Sequence, residues 1–273
     1  MAINDISLTA GMRANLISLQ GTVDLLNRTQ ERLSTGKKIN SALDNPTAYF
    51  ASQALLARAS DLSVLKDGMG QAIQTIKAAD AGIKGITALI EAAKGLTQSA
   101  RTADTAGRAA LATQFGDLLT QIDELALDSG YQGTNLLAAG SSLVVNFNED
   151  GTSQLTITGF DASATAGLGI AAAAAAWVAD ANIDTAVTDL GDAISTLRTN
   201  SSVLSSNLNV VTNREDFTTN MIKALTEGSD KLTLADMNEE GANMLMLQTR
   251  QALSTTALSL SAQAAQSVLR LFG

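Results

Sequence analysis

The side chains that could do acid–base or nucleophilic chemistry in this chain are few in kind. Its 273 residues include no Cys and no His. That removes thiolate nucleophiles, thiolate metal sites, and the commonest general base and metal ligand. Carboxylates, lysines and two tyrosines remain. Two pairs of adjacent acids stand out, Asp123-Glu124 and Glu239-Glu240. Neighbours on a helix point in different directions, and neither pair has an identifiable distant partner. Each reads as a solvated face, short of the constellation that catalysis requires. The chain is therefore expected not to be an enzyme, and no cofactor or catalytic residue is implied. Asn146, Asn148, Asp150 and Gly151 follow the spacing of a calcium loop, but the loop's bidentate Glu is replaced by Ile157. The segment reads as a plain turn, with no metal site.

Charge narrows the partners. A net charge of −9 argues against a nucleic-acid partner. No stretch approaches the roughly 18 apolar residues of a membrane span. The opening MAINDISLTAG lacks the basic and apolar regions of a Sec signal. The expectation is a cytoplasmic protein, or one exported without a cleaved signal peptide. From Ala109 to Leu197 there is no Lys or Arg, while acids run from Asp117 through Asp123, Glu124 and Asp128 to Asp192. The first forty residues are mildly basic, with Arg13, Arg28, Arg32, Lys37 and Lys38. This asymmetry places mid-chain towards solvent and the ends towards other protein.

The elements that must carry these residues are helices. Aromatics make up 3% and there is one Pro, while Ala and Leu, the strongest helix formers, abound. Heptad seams recur. Met12, Leu16, Leu19, Val23, Leu26, Gln30 and Leu33 form the first, with Gly36 placed as a C-cap. A second helix of about 46–100 starts at the Asn45-Pro46 cap and reads Leu62, Leu65, Met69 and onward to Ile90 and Ala93. Its internal Gly68, Gly70, Gly82 and Gly85 serve either close helix approach or indifferent surface positions. A shorter helix at about 107–128 turns Leu111, Phe115, Leu118, Ile122 and Leu125 inward. Leu143, Val145 and Phe147 then alternate before Asn148-Glu149-Asp150-Gly151, and Leu155 and Ile157 alternate after it, which predicts a β-hairpin. Residues 160–182 read as a loop or weak helix. A third long seam runs from Val187 to Leu225, with Gly228 placed as its end and Thr233 as the next N-cap. The last helix, about 236–271, aligns Met246, Leu253, Ala257, Leu260, Ala264 and Leu271. It also carries Met244, Leu245, Leu247, Leu258 and Val268 off that line. A helix apolar on several faces is buried on several sides. The fold class expected is mainly α, a long antiparallel helical bundle or coiled coil folded back on itself with one small β-hairpin in mid-chain.

Four stretches carry a family resemblance. Glu31-Arg32-Leu33-Ser34-Thr35-Gly36-Lys37-Lys38-Ile39-Asn40-Ser41-Ala42-Leu43-Asp44 resembles the ERLSSG-x-RINSA-x-D signature of bacterial flagellins. Asp123-Glu124 through Tyr131-Gln132-Gly133-Thr134-Asn135-Leu136-Leu137 is similar to a second family stretch, and Gln263 to Phe272 to the family's C-terminal ending. Met244 to Gln251 resembles short alphaproteobacterial flagellins.

The resemblance implies a structural subunit that self-assembles through its terminal helices into a flagellar filament; the alternative is a hook–filament junction protein. It implies an inner core of residues 1–40 and 234–273, and an outer shell of 41–233 with the hairpin at about 141–158. Too few residues lie between hairpin and third seam for a large outer domain. The residues expected to carry assembly are Leu16, Leu19, Val23, Leu26, Leu253, Leu258, Leu260, Val268 and Leu271. Implied partners are identical or paralogous flagellins, flagellar cap and hook-associated proteins, the type III export apparatus and an export chaperone. The implied location is the extracellular filament. Flagellins of this type are often O-glycosylated, and the candidates are Ser141, Ser142, Thr152, Ser153, Thr156, Thr158, Ser163, Thr165, Ser201 and Ser202. One departure concerns the R-x-R-E-L-A stretch that a vertebrate Toll-like receptor reads in many flagellins. Here it corresponds to Glu91-Ala92-Ala93-Lys94-Gly95-Leu96, without the arginines.

Overall fold

The computed structural model describes residues 10–272, with side chains as far as Ser267. The described residues form five helices, α1 (Ala10–Thr35), α2 (Pro46–Thr102), α3 (Thr105–Asp128), α4 (Asp180–Thr233) and α5 (Met237–Phe272). One antiparallel hairpin, β1 (Ser142–Asn146) with β2 (Gln154–Thr158), lies between α3 and α4. The fold is mainly α with a small mid-chain hairpin, as the periodicity predicts. The chain divides into two compact units, one of residues 59–223 and one of 1–58 with 224–273.

The unit of residues 59–223 holds the main core. The α2 seam buries Met69, Ile76, Ile83, Ile86 and Ile90, and the α4 seam buries Leu190, Leu197, Leu204 and Val211. Helix α3 adds Phe115, Leu119 and Ile122. Helices α2 and α4 run antiparallel, since Ser201 donates to Asp80 while Arg101 pairs with Asp184. The hairpin contributes Val145 and Ile157, and its turn is closed by the Asn148 side chain, whose Oδ1 accepts from Ser153 N–H at 3.0 Å. Asn148 and Ile157 are thereby used as a turn and a core residue.

The glycines of α2 divide into both kinds. A Cβ on Gly82 would lie 2.2 Å from Ser129 Oγ and 2.7 Å from Leu137, and one on Gly85 would lie 2.7 Å from Leu125. These two let α3 and the segment after it approach α2. Gly68 and Gly70 meet nothing within 4 Å. Gly82→Ala is therefore expected to lower stability by about 1–3 kcal/mol through overpacking. Gly68→Ala is expected to raise it by up to about 1 kcal/mol through helix propensity. Thermal unfolding of the monomer checks the opposite signs.

The segment between β2 and α4 is a loop with one 3-10 turn, Ala174–Trp177. It is buried along much of its length, through Ala162, Ala164, Leu168, Ile170 and Trp177. Its backbone is held by acids: Asp123 Oδ1 accepts from Ala164 N–H at 2.7 Å, and Asp189 Oδ2 from Ala171 N–H at 3.3 Å. Part of the acidic run thus faces inward, because buried backbone donors need acceptors. Arg108 ties the start of α3 to the start of α4. It pairs with Asp180 at 2.7 Å and donates to the carbonyl of Val178 at 3.2 Å.

In the other unit, α1 ends at Gly36, whose φ of +70° suits a C-cap glycine, and Gly36 N–H donates to Arg32 O at 2.8 Å. Asn45 caps α2 by accepting from Ala48 N–H at 3.1 Å. Two expected boundaries are corrected. Gly228 does not end α4, which continues to Thr233. Gly228 packs against Leu55, and the neighbouring Ser229 and Ser52 hydroxyls lie 2.8 Å apart and buried. Small residues there admit a close approach of α2 and α4, and that packing outweighs the helix cost of one Gly. The cap of α5 is Asp236, whose Oδ1 accepts from Asn238 and Glu239 N–H at 2.9 and 3.3 Å. Thr233 is still helical and its hydroxyl donates to Ser229 O.

Candidate assembly surface

Helices α1 and α5 pack side by side within their unit. From α1 the packing side holds Met12, Thr22 and Thr29, all buried, with Leu16, Leu19, Val23, Leu26 and Leu33 half-buried. Gln30, placed on the expected seam, is exposed. The neighbouring Thr29 takes the inward position because its methyl packs and its hydroxyl is small.

On α5 the inward seam is Met244, Leu247, Gln251, Ser254, Leu258, Ser261 and Ala265, at alternating spacings of three and four. This is not the most apolar line of the helix. That line, through Met246, Leu253, Ala257, Leu260 and Ala264, is exposed throughout. Leu253 is 66% accessible, Leu260 62% and Met246 57%, with Leu245 beside them at 67%. The two lines are offset by one residue, a rotation of about 100°. The chain thus packs α5 through a mixed seam of Met244, Leu247 and Leu258 with serines, Gln and Ala, and leaves Leu245, Leu253 and Leu260 outside. Ala242, Leu245, Met246, Thr249, Arg250 and Leu253 line a shallow, largely apolar groove there.

The nine expected assembly residues therefore fall into three sets. Leu16, Leu19, Val23, Leu26 and Leu258 are half-buried in the α1–α5 pair. Leu253 and Leu260 are exposed. Val268 and Leu271 lie on helical backbone, and their side chains lie outside the described residues. Exposed Ile17 on α1 is an addition; it sits beside the heptad line and gives no signal in the periodicity.

The α1–α2 connection is bound to the α4–α5 connection. Lys38 N–H donates to Thr233 O at 2.7 Å, and Ala235 N–H to Gly36 O at 3.0 Å. Arg32 meets buried Glu240 at 2.8 Å. Asp44 Oδ2 accepts from the N–H groups of Ser41 and Asn40, each at 3.0 Å. Those bonds, Ser41's first, hold the Asp44 carboxyl below its usual pKa. The signature residues Arg32, Asn40, Ser41 and Asp44 thus build a fixed corner beside the helix pair.

The acid pairs separate as helix neighbours do, but the reading of each as a solvated face without a distant partner is corrected for one member of each, because a carboxylate turned away from water takes a partner. Asp123 binds backbone while Glu124 is exposed, and Glu240 pairs with Arg32 while Glu239 is exposed. Among the described residues no group of three or more carboxylates is placed to hold a metal ion. The hydroxyl candidates differ in access. Ser142, Thr156 and Thr158 lie on the outward side of the hairpin, and Thr152, Thr165 and Ser202 are also exposed. Ser153 is half-buried, Ser163 accepts from Gly167 N–H, Ser201 donates to Asp80, and the Ser141 hydroxyl oxygen is buried.

Comparison with known proteins agrees across the whole chain. Residues 3–142 match the bacterial flagellin N-terminal helical region, and residues 181–272 match the bacterial flagellin C-terminal helical region. Flagellin FljK of Caulobacter vibrioides is 32% identical over 282 residues, covering 100% of both chains. A flagellin of Brucella melitensis is 26% identical over 279 residues, covering 98% of this chain and 97% of that one. The crystal structure of Bacillus cereus flagellin aligns with a TM-score of 0.47 at 16% identity, over 55% of this chain and 88% of that one.

Proposed function

The chain belongs to the bacterial flagellin family, and from that premise we propose how it performs its role as a filament subunit. It assembles through its terminal helices, residues 1–40 and 234–273 forming an inner core and 41–233 an outer shell. The observation that carries this reading is the exposed leucine line of α5. A helix that packs a mixed seam inside the chain and turns its more apolar line, with Leu253 and Leu260, outward has kept an apolar surface for another molecule. Identical or paralogous subunits are that molecule. The relatives reported above are flagellins, so the hook–filament junction reading has no observation in its favour.

The test is sedimentation and negative-stain microscopy of full-length protein beside a form lacking 1–40 and 234–273. Filaments from the first and monomers from the second are expected. Full-length protein that stays monomeric even when seeded would overturn the reading.

The same reading places the protein outside the cell in the filament, delivered by the type III export apparatus with an export chaperone and bounded by cap and hook-associated proteins. O-glycosylation falls on the accessible hydroxyls, Ser142, Thr152, Thr156, Thr158, Thr165 and Ser202. An intact mass of native protein equal to the 28.1 kDa of the chain would exclude it.

Recognition by the vertebrate Toll-like receptor is expected to be weak. In α2 the corresponding stretch offers exposed Glu91, buried Ala93 and half-buried Lys94. Lys cannot reproduce the planar bidentate pairing of Arg. A receptor reporter-cell assay should give a response at least about tenfold below that of a flagellin carrying both arginines, each bidentate pair contributing about 1.5–3 kcal/mol. Equal potency would contradict this.

A further inference from the structure

The unit of residues 59–223 is charged unequally around its bundle. On α3, Gln114, Asp117, Gln121, Glu124 and Asp128 are all exposed, at spacings of three and four, which puts them on one strip. Three are carboxylates, and no Lys or Arg occurs from Ala109 to Leu197 to balance them. Asp128 stands in the last turn of α3, which has no basic residue. A carboxylate there opposes the helix dipole, so it is placed against the interest of its own helix.

A different face of the same unit is cationic. Where α2 meets α4, Ile83, Lys84, Thr87, Leu197, Arg198 and Ser201 line a shallow groove of about 280 Å³. None of these residues comes from α3. Its apolar members, Ile83 and Leu197, are buried. Lys84 is held by Asp80 at 2.6 Å. Exposed Arg198 and exposed Lys77, two turns before Lys84, have no ion-pair partner among the described residues.

We propose that the acidic strip of α3 on one copy docks onto the Lys77–Lys84–Arg198 face of a neighbouring copy. This rests on the filament-subunit reading and names a contact within it. The occupant is a second copy because the chain itself carries the complementary charge. Two patches that match each other, and not themselves, make a heterologous contact, and a heterologous contact that does not close on itself propagates as an open helical filament. Such charges act mainly on register and rate of association, and screening within about 10 Å at 0.1 M salt makes the effect readable.

The experiment is seeded elongation of full-length protein followed by light scattering at low and high salt. Lys77→Glu with Arg198→Glu, and separately Asp117→Lys with Asp128→Lys, should each slow elongation at low salt about tenfold or more. The protein carrying all four changes restores opposite charges across the contact and should regain most of the rate. Lys77→Gln with Arg198→Gln, a milder change at two exposed sites, should flatten the salt dependence. Single-face variants that elongate like the original protein, or a neutralised face with unchanged salt dependence, would overturn the proposal. Failure of the unaltered protein to elongate on seeds at any salt would instead overturn the filament reading itself.

Discussion

Leu253→Asp and Leu260→Asp are each expected to give soluble monomer that no longer polymerises, with the helical content and thermal unfolding of the unit 59–223 unchanged. Both side chains are about two-thirds exposed in the chain alone, so a carboxylate there meets water in the monomer and costs little. In the proposed polymer the same position is covered. Covering one leucine contributes about 1.5–3 kcal/mol, and Asp forfeits that and adds the cost of desolvating a charge. A loss of about 3 kcal/mol per subunit raises the critical concentration about a hundredfold. Leu260→Met keeps the apolar surface and should polymerise near normally. Leu258 is a poor substitute for this test, because it is half-buried against α1 and its loss would disturb the pair and the surface together. Sedimentation at graded concentration reads the result. Filaments from Leu260→Asp at the usual concentration would place the assembly surface elsewhere.

The contrast between the two lines of α5 also marks where sequence reasoning reached its limit. The seams of α2 and α4 were legible to the residue, because one core uses one apolar line per helix and Ile and Leu at heptad spacing have a single place to go. On α5 the spacing is equally regular, but two lines compete, and the more apolar one faces out. Periodicity identifies a line that will be buried without saying by which molecule. The Thr233 cap failed for a related reason. Thr and Asp are both good caps, and the choice depends on α4 continuing through Gly228, which rests on the Ser52–Ser229 approach between distant segments. The loop before α4 was hardest. Its composition reads as a loop or weak helix, whereas the structure buries Ala162, Ala164, Leu168, Ile170 and Trp177 and ties the backbone to Asp123 and Asp189, whose partners are backbone N–H groups and therefore leave no mark in a pattern of side chains.

Trp177→Ala is expected to have the largest effect on stability. Trp177 is the one Trp in the chain, is fully buried, and packs on Phe115 with ring centroids 4.9 Å apart at a tilted 59°. Truncating a fully buried Trp costs about 3–5 kcal/mol, a large share of the stability of a single domain. The backbone makes the case stronger. Ala175, Ala176 and Trp177 hold φ values of +45°, +49° and +55°. L-residues with a Cβ adopt this left-handed region at a cost of about 1–2 kcal/mol each. Such a run persists only where surrounding contacts over-determine it, and the indole is the contact that does so, with Arg108 bound just beyond it at the carbonyl of Val178. Removing the indole takes away both the packing and the reason for the turn, so the loop should release as a unit. Phe115→Leu keeps most of the volume and should cost about 1–1.5 kcal/mol, with a red shift of the Trp177 emission if water reaches the ring. Denaturant unfolding of the three proteins, followed by far-ultraviolet circular dichroism, orders them. A Trp177→Ala protein within about 1 kcal/mol of the original would mean that the turn is held by its polar contacts, Asn182 at the Ala174 carbonyl and Arg108 at the Trp177 and Val178 carbonyls, and that the indole is a passenger on it.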